Sequence, residues 1–149
     1  MSKHITLVQS TLFNASIDKI WEKLEELQTL QYIAYPYATF TTIDSSSELV
    51  WKVGETFYFK FKLFGLIPLG THTIHIVQFD RSTAQIYSKE TNIHVPIWNH
   101  RIRLEYVDET ATRYTDEVEI DAGWKTIFIY LWATVFYKHR QRKWKKLLR

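Results

Sequence analysis

Three polar side chains fall where strand alternation would otherwise bury only apolar ones. Residues two apart in a strand share a face. His72 therefore goes with Ile74 and Ile76, His100 with Trp98, Ile102 and Leu104, and Asp116 with Tyr114, Val118 and Ile120. Two imidazoles and a carboxylate on a buried face can orient a ligand's polar head, move a proton, or hold a structural ion pair. A buried ionised carboxylate is costly unless it is paired and hydrogen-bonded. Arg140 and Arg142, late in the chain, are cations of the right kind. The expectation is a clamp in which Asp116 ties Arg140 and Arg142 to the sheet. A ligand-orienting role for Asp116 or His100 stays open beside it. So does general acid–base work, for which the sequence offers no third, orienting group.

Other chemistries find less support. His72, His75, His94 and His100 are candidates for a metal set, but His72 and His75 are three apart in a strand and point to opposite faces. No carboxylate sits at ligand spacing, so no metal and no cofactor are expected. There is no nucleophile elbow and no Gly-rich phosphate loop. Without cysteine, disulfides and thiolate sites are excluded.

The elements that must position these residues can be read from periodicity. Lys3 to Leu12 alternates as a first strand, and Ser16 is placed to cap the helix that follows. Ile17, Ile20, Trp21, Leu24 and Leu27 recur at helical spacing, with a break near Glu26 and an end by Tyr32. Strands are predicted over 38–43, 56–63, 71–79, 84–90, 96–107 and 112–121, and Ser45-Ser46-Ser47 reads as a loop. The last two strands form the clearest hairpin. Pairing Arg103 with Glu117 and Arg101 with Glu119 brings opposite charges together and leaves Glu109–Ala111 as a three-residue loop. In that register His100 and Asp116 are four residues apart along the strands, roughly 13 Å, and do not form an adjacent pair.

From Trp124 to Arg149 nothing interrupts one long helix of about seven turns. Its first half is apolar on nearly every side and calls for enclosure. The apolar run from Ile127 to Tyr137 is well short of the roughly 20 residues that cross a bilayer. The preceding strands are therefore expected to wrap this helix in a single domain spanning 1–149.

Six Trp, nine Tyr and nine Phe supply rings for a core or a cavity wall. The net charge of +3 conceals an uneven distribution. Residues 138–149 hold seven Lys or Arg and no acid, while the rest has twelve basic against sixteen acidic residues, a net −4. One basic helix end is too narrow a footprint for nucleic acid. It could rest weakly on a membrane surface, although a solvated helix terminus is the plainer reading. No secretion signal is visible, so a cytoplasmic location is expected. Phe64-Gly65-Leu66-Ile67-Pro68-Leu69-Gly70 is apolar and bracketed by glycines at an expected hairpin tip. Phe64, Leu66, Ile67 and Leu69 are candidates for a lid, with packing back onto the domain as the alternative.

Four segments carry a family resemblance: Ala15-Ser16-Ile17-Asp18-Lys19-Ile20-Trp21, Trp98-Asn99-His100-Arg101-Ile102, Tyr114-Thr115-Asp116-Glu117-Val118, and Phe136 to Trp144. In this order the chain resembles the START-like, or SRPBCC, superfamily, which includes polyketide cyclase/dehydrase-like and Bet v 1-like ligand-binding domains. The family's Gly-Pro-Phe approach to the Trp-x-His segment is replaced here by Asn92–Ile97. The resemblance implies an α+β helix-grip fold: a curved antiparallel sheet of about six or seven strands around a long C-terminal helix, with one or two short helices after the first strand. It also implies a cavity for a small hydrophobic or amphipathic ligand between sheet and helix. The expected walls are Phe57, Phe59, Phe61, Ile74, Trp98, Ile102, Leu104, Val118, Phe128 and Trp132, with His72, His100 and Asp116 as the polar contacts. A polyketide cyclase or dehydratase activity is the alternative, and a membrane-surface or protein adaptor the second alternative.

Overall fold

Ser16 ends the first strand and starts the first helix: its backbone is extended and its hydroxyl accepts the amide of Lys19 at 3.2 Å. The computed structural model describes residues 4–43 and 49–149; the predicted Ser45–Ser47 loop lies outside them. Strand β1 (Ile5–Phe13) leads into helices α1 (Ile17–Leu24) and α2 (Leu27–Ala34), split at Glu26, whose backbone is extended. Strands β2 (Ala38–Thr42), β3 (Thr56–Leu63), β4 (Ile67–Asp80), β5 (Gln85–Asn92), β6 (Val95–Asp108) and β7 (Ala111–Asp121) follow. One turn of 3-10 helix at Gly123–Lys125 then opens into α3 (Thr126–Leu147), 22 residues long.

The seven strands form one antiparallel sheet in the order β1-β7-β6-β5-β4-β3-β2. Register shifts interrupt four of the six pairings, at Lys60/Lys62, Ile76/Gln78, Glu90/Asn92 and Tyr106/Asp108. Each irregularity sharpens local twist, so together they bend the sheet around α3. Helix α3 lies against β1, β7 and α2. At the joint before it, Gly123 takes a left-handed φ of +61°, which suits glycine. Thr126 Oγ1 accepts the Ala122 amide at 2.9 Å and donates to the Gly123 carbonyl at 2.7 Å, fixing the turn from sheet to helix.

Three expectations are corrected. The β6–β7 register is two residues away from the charge-based one: Arg101 faces Glu117, Ile102 faces Asp116 and His100 faces Val118. The turn is Glu109-Thr110 alone, tightened by Asp108 Oδ1 accepting both the amide and the hydroxyl of Thr110, with a bulge beside it. Charges alternate at the same spacing in both strands, so both registers bring opposite signs together. Arg103 still reaches Glu117, diagonally, at 3.4 Å. The turn decides between them.

Second, the presumed loop at 64–70 is mostly strand. Only Phe64, Gly65 and Leu66 form the tip, and β4 begins at Ile67. Third, the first half of α3 is not enclosed all round. Trp124, Ile127, Phe128, Leu131 and Val135 face outward, the first 75% exposed. The buried side carries Ala133, Phe136 and Tyr137. Continued toward the C-terminus, the outer stripe becomes Lys138, Arg142, Lys145 and Lys146, all exposed.

Candidate functional site

The helix rests on β1 and β7, so the space above the other half of the bent sheet is left open. A cavity of about 350 Å³ lies there, floored by β3 to β6 and walled by α1, α2 and α3. Leu24, Leu30, Ile33, Phe40, Trp51, Phe61, Ile74, Ile76, Phe79, Ile86, Trp98, Ile102, Trp132 and Phe136 give it an apolar, ring-rich lining. Phe128 lines it while 64% exposed and so sits at the mouth.

Of the residues expected in the wall, Phe61, Ile74, Trp98, Ile102, Phe128 and Trp132 line the cavity, as do His72 and His100. Phe57, Phe59, Leu104, Val118 and Asp116 do not. The right strand face was necessary but not sufficient. Phe59 is fully buried, covered by the rings of Phe40 and Trp51, and Phe57 packs edge-on against Trp51 at 5.0 Å. Val118 is on β7, where α3 fills the space, and clusters with Leu7, Ile120 and Ala133. Leu104 belongs to a second cluster with Phe13, Tyr114 and Trp144. Of the lid candidates, Leu69 points into the cavity, while Phe64, Leu66 and Ile67 are exposed and Phe64 touches the Tyr37 ring.

At the closed end the apolar lining gives way to a buried polar chain. Asp116, fully buried, accepts from His100 Nε2 at 2.6 Å and from Gln141 Nε2 at 3.0 Å, with the Tyr114 hydroxyl at 3.4 Å. His100 and Asp116 are thus a direct pair, a second consequence of the corrected register. On its other side His100 Nδ1 lies 3.7 Å from Glu90 Oε2. Glu90 accepts from His72 Nε2 at 2.8 Å and from the Ser88 hydroxyl at 2.7 Å. The helix partner of Asp116 is Gln141, not an arginine. Arg142 is exposed on the outer stripe. Arg140 is buried but stacks on the Tyr137 and Phe136 rings, its guanidinium 4.9 and 5.7 Å from their centres.

Electrostatics follow from this geometry. Burial by itself would raise the Glu90 carboxyl; hydrogen bonds from His100 and His72 outweigh it and hold the group well below the usual carboxylate range. Burial likewise opposes the Asp116 charge, and the bond and charge of His100 win, so its pKa is lowered. For His100 burial pulls down, the bonds to Asp116 and Glu90 pull up, and the net direction is up. The imidazole thus lies between two carboxylates, bonded to Asp116 through Nε2 and with Nδ1 turned toward Glu90. Both its nitrogens face acids, so no lone pair is free to take a proton from a bound molecule. Among the described residues no group of three His, Asp or Glu side chains is placed to hold a metal ion.

Glu90, Ser88 and Tyr137 belong to this chain or its border and were not singled out from the sequence. The signal was present but weak. With Ile86 inward, period two sends Ser88, Glu90 and Asn92 inward as well, yet three polar residues in a row on one face look like a wet edge. Tyr137, which accepts from Trp98 Nε1 at 3.0 Å, was hidden within an apolar helix run.

The whole fold has counterparts among solved structures. A START superfamily protein from Mycobacterium smegmatis superposes with a TM-score of 0.70 at 10% identity, covering 98% of this chain and 97% of that one. Norcoclaurine synthase from Thalictrum flavum, solved in complex with dopamine and hydroxybenzaldehyde, gives 0.69 at 10% identity, covering 98% and 87%. An aromatase/cyclase from Streptomyces sp. R1128 gives 0.66 at 11% identity, covering 98% and 92%. At such identities the likeness establishes the fold, the START-like helix grip, and no activity. Among curated proteins none matches the sequence. Residues 11–148 match a single family profile across nearly the whole chain, so this protein belongs to the family described as Domain of unknown function (DUF8410).

Proposed function

We propose that the protein binds a small hydrophobic or amphipathic molecule, of the size of a short lipid, a polyketide fragment or a quinone, between its sheet and α3. The observation that carries this reading is the 350 Å³ cavity, lined almost wholly by apolar side chains and rings. A core of this size and composition would ordinarily be close-packed. Ligand pockets start at about 300 Å³. Each methylene moved inside contributes about 0.8 kcal/mol, so useful affinity needs no covalent step. Within this proposal Asp116 is a clamp between β7 and α3 through Gln141, and His100 and His72 supply the polar end. A cytoplasmic place of work belongs to the same proposal, since a cysteine-free chain gains nothing from an oxidising compartment. A cyclase-type reaction is disfavoured by His100, whose Nε2 is bonded to Asp116 and whose Nδ1 faces Glu90 at 3.7 Å.

Native mass spectrometry of the purified protein tests the reading. The expected spectrum shows a population heavier than the bare chain by one small molecule, released on collisional activation. A bare chain that also fails to take up a neutral apolar dye would end it.

A second reading, contact with a membrane surface, draws on the outer stripe of α3. No helix among the described residues is long and apolar enough to cross a membrane. The stripe instead pairs exposed Trp124, Ile127, Phe128 and Leu131 with exposed Lys138, Arg142 and Lys146. About 27 Å of helix separates Trp124 from Arg142 at 1.5 Å per residue, so both act together only if α3 lies flat on the surface. Sedimentation with phosphatidylserine vesicles at low salt, lost at high salt, is the expected result. Protein left in the supernatant at low salt would dismiss it.

A further inference from the structure

The unused hydrogen-bonding capacity of the cavity is concentrated in nitrogen. Arg140 lines the cavity while only 5% exposed, and among the described residues its guanidinium donates no hydrogen bond. Its Nε is wholly buried without a partner. The guanidinium carbon lies over the Tyr137 and Phe136 rings, which offer its N–H groups no oxygen acceptor. A guanidinium has five such donors, accepts nothing and stays charged.

Among the described residues no acid fills this role. Asp116 is committed to His100 and Gln141, and Glu90 to His72 and Ser88. Neither carboxylate lies within salt-bridge distance of Arg140. Two turns back along α3, Trp132 also lines the cavity, its ring stacked on Phe136 at 4.6 Å and its Nε1 buried without a partner. His72 Nδ1, on the facing sheet, is a third unpartnered nitrogen. Native proteins rarely leave buried polar groups unmade without a reason. Here a fixed cation borders the cavity while Asp116 and Glu90 are engaged with other side chains.

We infer that the ligand carries a carboxylate and that Arg140 is its seat, an inference that rests on the cavity being a binding site. A carboxylate matches the guanidinium fork with two parallel bonds, which a lone hydroxyl or a hydrocarbon cannot do. At about 350 Å³ the cavity is near the small end of the ligand-pocket range. The ligand class is thus a small amphipathic acid: an apolar ring system or short chain with its acid group turned toward α3.

The test uses 2-naphthoate, 2-acetylnaphthalene and naphthalene, which share a body and differ in the head. Each competes with N-phenyl-1-naphthylamine, a neutral fluorescent probe, for the full-length protein. 2-Naphthoate is expected to compete at least tenfold more strongly than the ketone or the hydrocarbon. Arg140→Met should erase that advantage and leave naphthalene within twofold. Equal competition by all three in the wild-type protein overturns the inference and leaves the cavity reading standing. A ketone as strong as the acid also overturns it, because a neutral acceptor would then suffice. If the probe does not bind and none of the three shows saturable binding by calorimetry, the cavity reading itself fails. The wild-type comparison decides these outcomes even if Arg140→Met does not fold.

Discussion

Replacing Asp116 by Ala is expected to destabilise the protein by about 3–5 kcal/mol, the usual loss when one partner of a buried charge pair is removed. The substitution would strand His100 Nε2 in a site from which water is excluded and leave Gln141 Nε2 only its bond to the Gln9 carbonyl. It would also cut the bond that joins β7 to the basic half of α3. Asp116→Asn keeps the shape and loses the charge, so a smaller loss is expected. Urea unfolding near pH 6 reads both. A loss below about 1 kcal/mol for the Ala variant would mean that the pair carries no net stabilisation.

The same network sets a pH window. Asp116 and Glu90 titrate below their ordinary values of 3.8 and 4.5, so their contribution is complete above those values and is lost as pH falls through the folded ones. His100 titrates above its ordinary 6.5, so its contribution is complete below 6.5 and is lost as pH rises through the folded value. Stability should be flat between 4.5 and 6.5 and fall on either side. In Asp116→Asn both limbs should be shallower, since His100 has lost its nearest acid.

Filling the cavity should abolish ligand binding and leave the fold intact. Ile74 lies on the floor, 5% exposed, between Phe57 of β3 and Glu90 of β5. Ile74→Trp places an indole in the space that the proposed ligand needs. In a packed core such a change costs about 1–3 kcal/mol of strain. Here the added ring has a cavity to enter, so stability should change by less, while affinity for an apolar ligand falls at least a hundredfold. Val77→Thr, on the outer face of the same strand, is the control and should leave affinity unchanged. Unchanged affinity in Ile74→Trp would place the ligand outside this cavity.

Local signals carried much of the architecture. The Ser16 cap, the helical spacing from Ile17 to Leu24 and the alternation in β6 and β7 each reflect short-range geometry, and the structure reproduces them within a few residues. Register did not follow from the same information. One register pairs Arg101 and Arg103 with Glu119 and Glu117, the other pairs Arg101 with Glu117 and Glu105 with Arg113, and a bulge next to a two-residue turn selected the second. That two-residue shift turned His100 and Asp116 from separated side chains into a bonded pair. The partner on the helix was misassigned for a similar reason: charge suggested an arginine, whereas the rotation of α3 presents Gln141 to Asp116 and sends Arg142 outward.

The sequence alone determined which elements form, which strand faces are apolar, and that a ring-rich chain ends in a helix too short on apolar length to span a bilayer. These follow from contacts a few residues apart. Only the tertiary structure decided where the sheet and α3 touch and where they part. The helix lies on β1 and β7, filling the space over Val118, while over β3 to β6 the bent sheet leaves the gap that Glu90, His72 and Arg140 line. No periodicity encodes that gap, because it depends on how far four irregular strand pairings bend the sheet away from a straight helix.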